Sequence, residues 1–212
     1  VGGDLYWVKA WKDGIYLILG DCTGHGVPGA FMTIISNGAF EHVIDQVDAG
    51  DCADIIAHIH RNMQTSLGQD SVNGDSDDGI ELGVVYLPNN SDTFTYAGAR
   101  FSLFYHDKEG DVVEIKGDRK GVAYRSVKHE ATFTNVTVER ISGRRFIMST
   151  DGMIDQVGGK KGRMMGKKRF KSLLLEARDL PINELGEYLY SALEVYQKDQ
   201  KRRDDVSLIG FE

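Results

Sequence analysis

The chain opens on two short β-rich runs, Leu5 to Trp11 and Ile15 to Gly20, joined by Lys12-Asp13-Gly14, a hairpin signal. The second run ends at Asp21 and passes into a glycine-rich turn, with Pro28 at the place where a first helical turn tolerates a missing N–H. From there Phe31, Ile35, Ala39, Val43 and Val47 repeat at four-residue spacing, which predicts a long amphipathic helix. Asp51 is the expected N-cap of a second helix carrying Ile55, Ile56, Ile59 and Met63 on one side and ending near Gly68. Gln69 to Asp78 is polar, acidic and glycine-containing, and reads as a loop whose acids, Asp75, Asp77 and Asp78, are loop formers. Of these, Asp78 lies near enough to a strand start to be considered for an extra metal.

Beyond this loop, Ile80 to Leu87, Thr93 to Ala97, Phe101 to His106 and Val112 to Lys116 alternate as strands of an antiparallel meander. Thr132 to Val138 and Arg145 to Ser149 continue the sheet. Helices follow from about Phe170 and from Pro181 to Tyr196, before a last strand over Val206 to Phe211. Antiparallel runs of strands with helices in pairs predict an α+β fold of two sheets packed together with helices outside.

A length of 212 residues with 41% hydrophobic content suits one sizeable domain. The net charge of −7 argues against nonspecific binding of nucleic acid or anionic membrane, both of which need a cationic surface. Cys22 and Cys52 form neither a metal-type spacing nor a disulfide framework, so a reducing compartment is expected. No apolar run approaches the ~20 residues that span a bilayer. The chain begins abruptly at Val1, inside a strand or turn, which suggests an excised domain lacking its first strand.

Several chemistries can be tried against the motifs. Gly24-His25-Gly26-Val27-Pro28-Gly29 fits G-x-G-x-x-G between a strand and a helix, but a dinucleotide fold needs a parallel strand after that helix, and a second helical pattern comes instead. No Gly-Lys-Ser/Thr exists for a Walker loop. A cysteine phosphatase needs Cys-x5-Arg, and Pro28 and His58 stand where the arginine would be. Ser149 and His25 lie outside any G-x-S-x-G, so a serine nucleophile is unsupported. Four aspartates fare better: Asp4, Asp21, Asp151 and Asp204 each fall at a strand end or start. Carboxylates that a fold gathers repel one another unless a divalent cation neutralises them, and hard cations such as Mg²⁺ or Mn²⁺ select oxygen ligands.

The strings VGGD, GDCTGHG, STDG and DDVSLI stand in the order found in metal-dependent (PPM, type 2C) protein phosphatases, and TGHG resembles the bacterial SpoIIE-like branch. The resemblance covers nearly the whole chain and implies one phosphatase domain over residues 1–212, with a four-layer α-β-β-α sandwich of two antiparallel sheets flanked by helices. It implies that Asp21 bridges two Mn²⁺ or Mg²⁺ ions and that the Cys22 backbone carbonyl is a ligand, its thiol a bystander. Asp4 would hold the second metal, and Asp151 and Asp204 would complete the first, with Asp205 as the substitute if the register is off by one. Two ions ~3.5–4 Å apart would yield a hydroxide for in-line attack on phosphoserine or phosphothreonine. His25 would protonate the leaving alkoxide or hold its loop by hydrogen bonds.

The implied substrate is a phosphorylated STAS-domain anti-sigma-factor antagonist in a bacterial partner-switching pathway. A homodimer is one arrangement such a domain can adopt, and the expected location is the cytoplasm, including the cytoplasmic end of a membrane-anchored sensor. A pseudophosphatase serving as a protein-binding module is the alternative. Two features depart from or add to the pattern. Tyr96-Ala97-Gly98-Ala99-Arg100 stands where relatives show an Asn-Ala-Gly-His-like string, so Arg100 is either a surface arginine or a phosphate fork. Lys160 to Arg169 is a basic stretch with two readings, a solvated loop or a docking surface for an acidic partner.

Overall fold

The computed structural model describes residues 2–24, 26–70, 77–107 and 109–212. In chain order the elements are β1 (Asp4–Trp11), β2 (Gly14–Cys22), α1 (Val27–Val43), α2 (Cys52–Ser66), β3 (Ile80–Pro88), β4 (Thr93–Ala99), β5 (Ser102–His106) and β6 (Val112–Lys116). They continue with β7 (Val136–Glu139), β8 (Phe146–Ser149), α3 (Gly152–Asp155), β9 (Val157–Gly158), β10 (Arg163–Met164), α4 (Gly166–Glu176), α5 (Ile182–Gln197) and β11 (Leu208–Phe211). Among the described residues the fold is α+β, with two larger antiparallel sheets, one two-stranded hairpin and five helices. None of the described helices is long and apolar enough to cross a membrane.

The backbone forms two compact units, Val1–Ser102 with Lys116–Ile141, and Leu103–Ile115 with Ser142–Glu212. The first is built on the sheet β1-β2-β3-β4-β7. The expected hairpin forms, with Trp11 opposite Gly14. A Cβ at Gly14 would lie 2.6 Å from the Leu87 carbonyl oxygen and from the Tyr86 ring, so the turn requires glycine. Tyr16, Ile18 and Val84 pack with Phe40, Val43, Ile56 and Met63 of the two helices, each side chain removing roughly 1.5–3 kcal/mol worth of apolar surface from water. Asp51 caps α2 as expected, its side chain accepting from the Asp54 N–H at 3.0 Å.

Helix α1 departs from the expected stripe. Its buried positions are Gly29, Met32, Ser36, Ala39, Phe40 and Val43, while Phe31 is 62% exposed and Val47 lies beyond the helix end. A strict four-residue spacing advances 400° per step, so a stripe drawn that way drifts off the packed face within three steps. The seventh strand is also shorter than Thr132 to Val138, beginning only at Val136.

The second unit holds the sheet β11-β8-β5-β6 and a core of Phe104, Ile147, Met153, Phe170, Leu174, Leu185, Leu189 and Leu193. The small β9–β10 hairpin carries the start of the basic stretch in its turn and its second strand. Tyr196 fixes it: its hydroxyl donates to the Arg163 carbonyl at 2.8 Å, and its own carbonyl accepts from the Gly159 N–H at 2.7 Å. Part of the basic charge is spent locally, since Lys167 pairs with Glu114 at 2.7 Å and Arg169 stacks on the Tyr196 ring at 4.5 Å.

Candidate metal centre

The β1–β2 register sets Asp4 directly opposite Asp21, and the β2–β3 register sets Asp21 directly opposite Glu81. Three carboxylates therefore occupy one row across three adjacent strands. Like charges directly opposite in a sheet destabilise it by up to about 1 kcal/mol per pair, and the Arg100 guanidinium, 3.4 Å from Glu81, brings positive charge to one end of the row. The pleat turns Asp21 away from the face that carries Cys22, Ile18 and Tyr16, which pack against the helices. Glu81 is the residue that sequence reasoning passed over. Its signal was available, because it is the single charged side chain in the apolar run Ile80 to Leu87.

The turn after Cys22 is crowded in a way that explains its glycines. A Cβ on Gly3 would lie 2.8 Å from the carbonyl oxygens of both Cys22 and Gly24, and one on Gly29 would lie 2.6 Å from that of Gly24. Any side chain at residue 3 would cover the Cys22 oxygen. The loop 77–79 braces this turn: Thr23 donates through its N–H to the Gly79 carbonyl at 2.9 Å and through its hydroxyl to Asp78 at 3.1 Å. Asp77 accepts from the Arg125 N–H at 2.8 Å. Asp77 and Asp78 thus serve the loop, the role expected of them. Asp75 and His25 lie outside the described residues.

Burial pushes the Cys22 thiol up to about 12, opposed by its contact with Ser36 and reinforced by the charges of Asp21 and Asp4. Such a thiol stays protonated at neutral pH and is no nucleophile.

In the second unit, Ser149 pairs with Leu208, and Thr150 continues the contact: its N–H donates to the Ser207 carbonyl at 3.1 Å and its hydroxyl accepts from the Ser207 N–H at 3.0 Å. These bonds set the Asp151 segment beside the Asp204–Asp205 segment. A Cβ on Gly152 would lie 1.8 Å from the Asp205 carbonyl oxygen, so only glycine can follow Asp151 here. Asp151 is exposed at the start of α3, and Asp204 is exposed with one oxygen accepting from the Asp205 N–H at 2.9 Å. Burial raises the Asp155 carboxyl above its ordinary range, with Arg203 opposing and Asp204 reinforcing the shift.

Gln156, fully buried, ties the hairpin base to the same segment. Its amide nitrogen donates to the Val157 and Lys201 carbonyls at 2.9 and 3.0 Å, and its oxygen accepts from the Arg203 N–H at 3.2 Å. Each unit thus carries its own pair of expected ligands, Asp4 with Asp21 and Asp151 with Asp204. Among the described residues, no three histidine, cysteine, aspartate or glutamate side chains converge as a ready coordination shell. The donor chemistry, carboxylates plus a backbone carbonyl left uncovered by glycine, nevertheless fits a hard divalent cation.

A family model for stage II sporulation protein E (SpoIIE) matches residues 12–212. Comparison with curated protein sequences returns no match. Among solved structures, the chain is similar to the SiaA-PP2C domain of Pseudomonas aeruginosa, at 31% identity and a TM-score of 0.85, over 99% of this chain and 79% of that one. The RsbU and RsbW domains of Rv1364c from Mycobacterium tuberculosis align at 20% identity and a TM-score of 0.76, over 99% of this chain and 55% of that one. RsbX, solved in complex with magnesium, aligns at 18% identity and a TM-score of 0.65, over 99% of this chain and 86% of that one, and these two likenesses speak to fold alone. The order of aspartate motifs, the two antiparallel sheets and the match over residues 12–212 agree, and the chain belongs to the SpoIIE family of PP2C-type phosphatase domains.

Proposed function

We propose that this domain is a metal-dependent protein serine/threonine phosphatase that acts on a phosphorylated STAS-domain partner in the cytoplasm. The observation that carries the reading is the register that sets Asp4, Asp21 and Glu81 opposite one another across three strands, gathering oxygen donors of the kind a hard divalent cation selects. Asp4, Asp21 and the Cys22 carbonyl, from the first unit, and Asp151 and Asp204, from the second, would be the cation ligands. Two Mn²⁺ or Mg²⁺ ions, when bound, would supply Lewis acidity toward phosphate and water.

The chain's own contributions follow from its chemistry. Asp21, opposite Asp4 and next to Cys22, would offer its carboxylate to the cations, the role that the resemblance implies for it. Gly3 leaves the Cys22 carbonyl oxygen uncovered. Thr150, Ser207 and Gln156 hold the Asp151 and Asp204 segments in register, and His25 is assigned the proton for the departing serine or threonine oxygen. The STAS-domain substrate follows from the resemblance to the SpoIIE-like branch.

The test is hydrolysis of p-nitrophenyl phosphate and of a phosphorylated STAS-domain protein with added Mn²⁺. The reading requires turnover that excess chelator abolishes and that falls at least about a hundredfold in Asp21→Asn and Asp151→Asn. Undiminished activity in both variants or in chelator would overturn the metal role. A native protein that binds the phosphoprotein without turning it over would instead establish a binding module.

A further inference from the structure

The surroundings of Arg100 are built rather than incidental. It follows β4, where Ala99 pairs with Leu82, so Arg100 continues the row in which Glu81, Asp21 and Asp4 stand opposite one another. Its backbone is left-handed, with φ 52°, a conformation disfavoured for any residue with a Cβ. The turn is held there from outside: the Arg100 N–H donates to the Asp118 carbonyl at 2.8 Å, and the Asp118 N–H donates to the Gly98 carbonyl at 2.8 Å.

The guanidinium is fixed as firmly as the backbone. It stacks on the Tyr124 ring, with its carbon 5.1 Å from the ring centre. Nε donates to the Arg119 carbonyl at 3.3 Å and Nη1 to Glu81 at 3.4 Å. Tyr124 is seated in turn, since a Cβ on Gly79 or Gly121 would lie 2.6 or 2.5 Å from its ring. Buried Gln64 and His60 anchor that loop, Gln64 donating to the Tyr124 carbonyl at 3.0 Å and His60 accepting from the Ala123 N–H at 2.9 Å.

This clamp leaves donors to spend. Among the described residues, Nη2 of Arg100 has no protein acceptor. The contact to Glu81 is longer than the 2.7–2.9 Å typical of a tight charge-assisted bond, so it orients the guanidinium without saturating it. Two strand spacings, about 10 Å, separate the Arg100 and Asp21 backbones. An extended arginine side chain plus one tetrahedral oxyanion spans that interval. A tetrahedral group also presents oxygens on several sides, so one can accept from Nη2 while others face the cation that Asp21 would hold, where a planar carboxylate would use both oxygens on the fork.

We propose that Arg100, oriented by Tyr124 and Glu81, is a substrate-binding residue that takes one oxygen of a phosphate-type oxyanion beside Asp21: the phosphoryl group of the substrate before reaction and inorganic phosphate after it. The substrate half of this proposal rests on the phosphatase reading, whereas the anion half needs only cation at Asp21 and not turnover.

The experiment is calorimetric titration of inorganic phosphate into the Mn²⁺-supplemented domain, alongside KM and kcat for p-nitrophenyl phosphate. The variants are Arg100→Gly, which also relieves the left-handed backbone, Arg100→Lys and Tyr124→Leu. Arg100→Gly weakens phosphate binding by about tenfold or more and raises KM more than it lowers kcat, the scale of one lost hydrogen bond to a charged group. Arg100→Lys restores part of the affinity and Tyr124→Leu loses part of it. Phosphate affinity and KM within twofold of native in Arg100→Gly overturn the proposal, even if hydrolysis proceeds. Phosphate binding that depends on Arg100 in a protein without turnover upholds the anion seat and overturns the phosphatase reading instead.

Discussion

Replacing Gln156 by alanine removes three hydrogen bonds from a fully buried side chain, two of which reach across to the segment that runs into Asp204. At about 1 kcal/mol net per bond the loss comes to about 3 kcal/mol, a large share of a stability of roughly 5–15 kcal/mol. The two crossing bonds, about 2 kcal/mol together, hold the Lys201 carbonyl and the Arg203 N–H, so their loss speeds local opening about thirtyfold. Hydrogen exchange over residues 201–205 reads that opening directly, and urea unfolding reads the global term. Apparent Mn²⁺ affinity falls about tenfold as well, the usual consequence of losing a group that orients a metal ligand. Gln156→Glu keeps the acceptor for Arg203 but sets a carboxylate against two carbonyl oxygens, and at pH 7.5 it costs at least as much as alanine. Exchange over 201–205 and a urea midpoint both unchanged in Gln156→Ala would refute the reasoning.

Three further predictions follow from particular residues. Burial holds the imidazoles of His60 and His106 below their ordinary range, so the unfolded chain takes up protons that the folded one refuses; stability is full above about pH 6.5 and falls as pH drops below it, visible as a lower urea midpoint at pH 5.5 than at pH 7.5. Gly152→Ala, whose new methyl would meet the Asp205 carbonyl oxygen, costs about 2 kcal/mol or more, whereas Gly186→Ala, exposed in α5 with nothing within 4 Å, gains about 0.5–1 kcal/mol; thermal unfolding separates the two. Cys22→Ala retains turnover and loses about 1 kcal/mol of stability, and native Cys22 resists a thiol reagent at pH 8 until the chain unfolds.

The hairpin, the Pro28 helix start, the Asp51 cap and most strands were legible in the sequence because each depends on residues close together in the chain. The aspartate motifs were legible for a different reason, the resemblance of four short strings. What escaped lay in pairings between distant residues. Glu81 enters the carboxylate row only through the β2–β3 register, and Tyr124 meets Arg100 only because two glycines far apart in sequence make room for its ring. Gln156 looked like any polar residue in a loop, since nothing local reveals that Lys201 and Arg203 will satisfy it. The β9–β10 hairpin was hidden by its two-residue strands and the basic turn between them, which reads as solvated loop until Tyr196 is seen to pin it.

The central claim, that these aspartates hold divalent cations, is tested most directly by calorimetric titration of Mn²⁺ into the native domain and into Asp21→Asn and Asp151→Asn. The account predicts two ions bound by the native protein, loss of both in Asp21→Asn because that residue serves the two together, and loss of one in Asp151→Asn. Native-like binding in Asp21→Asn, or no saturable Mn²⁺ binding by the native domain, would contradict it.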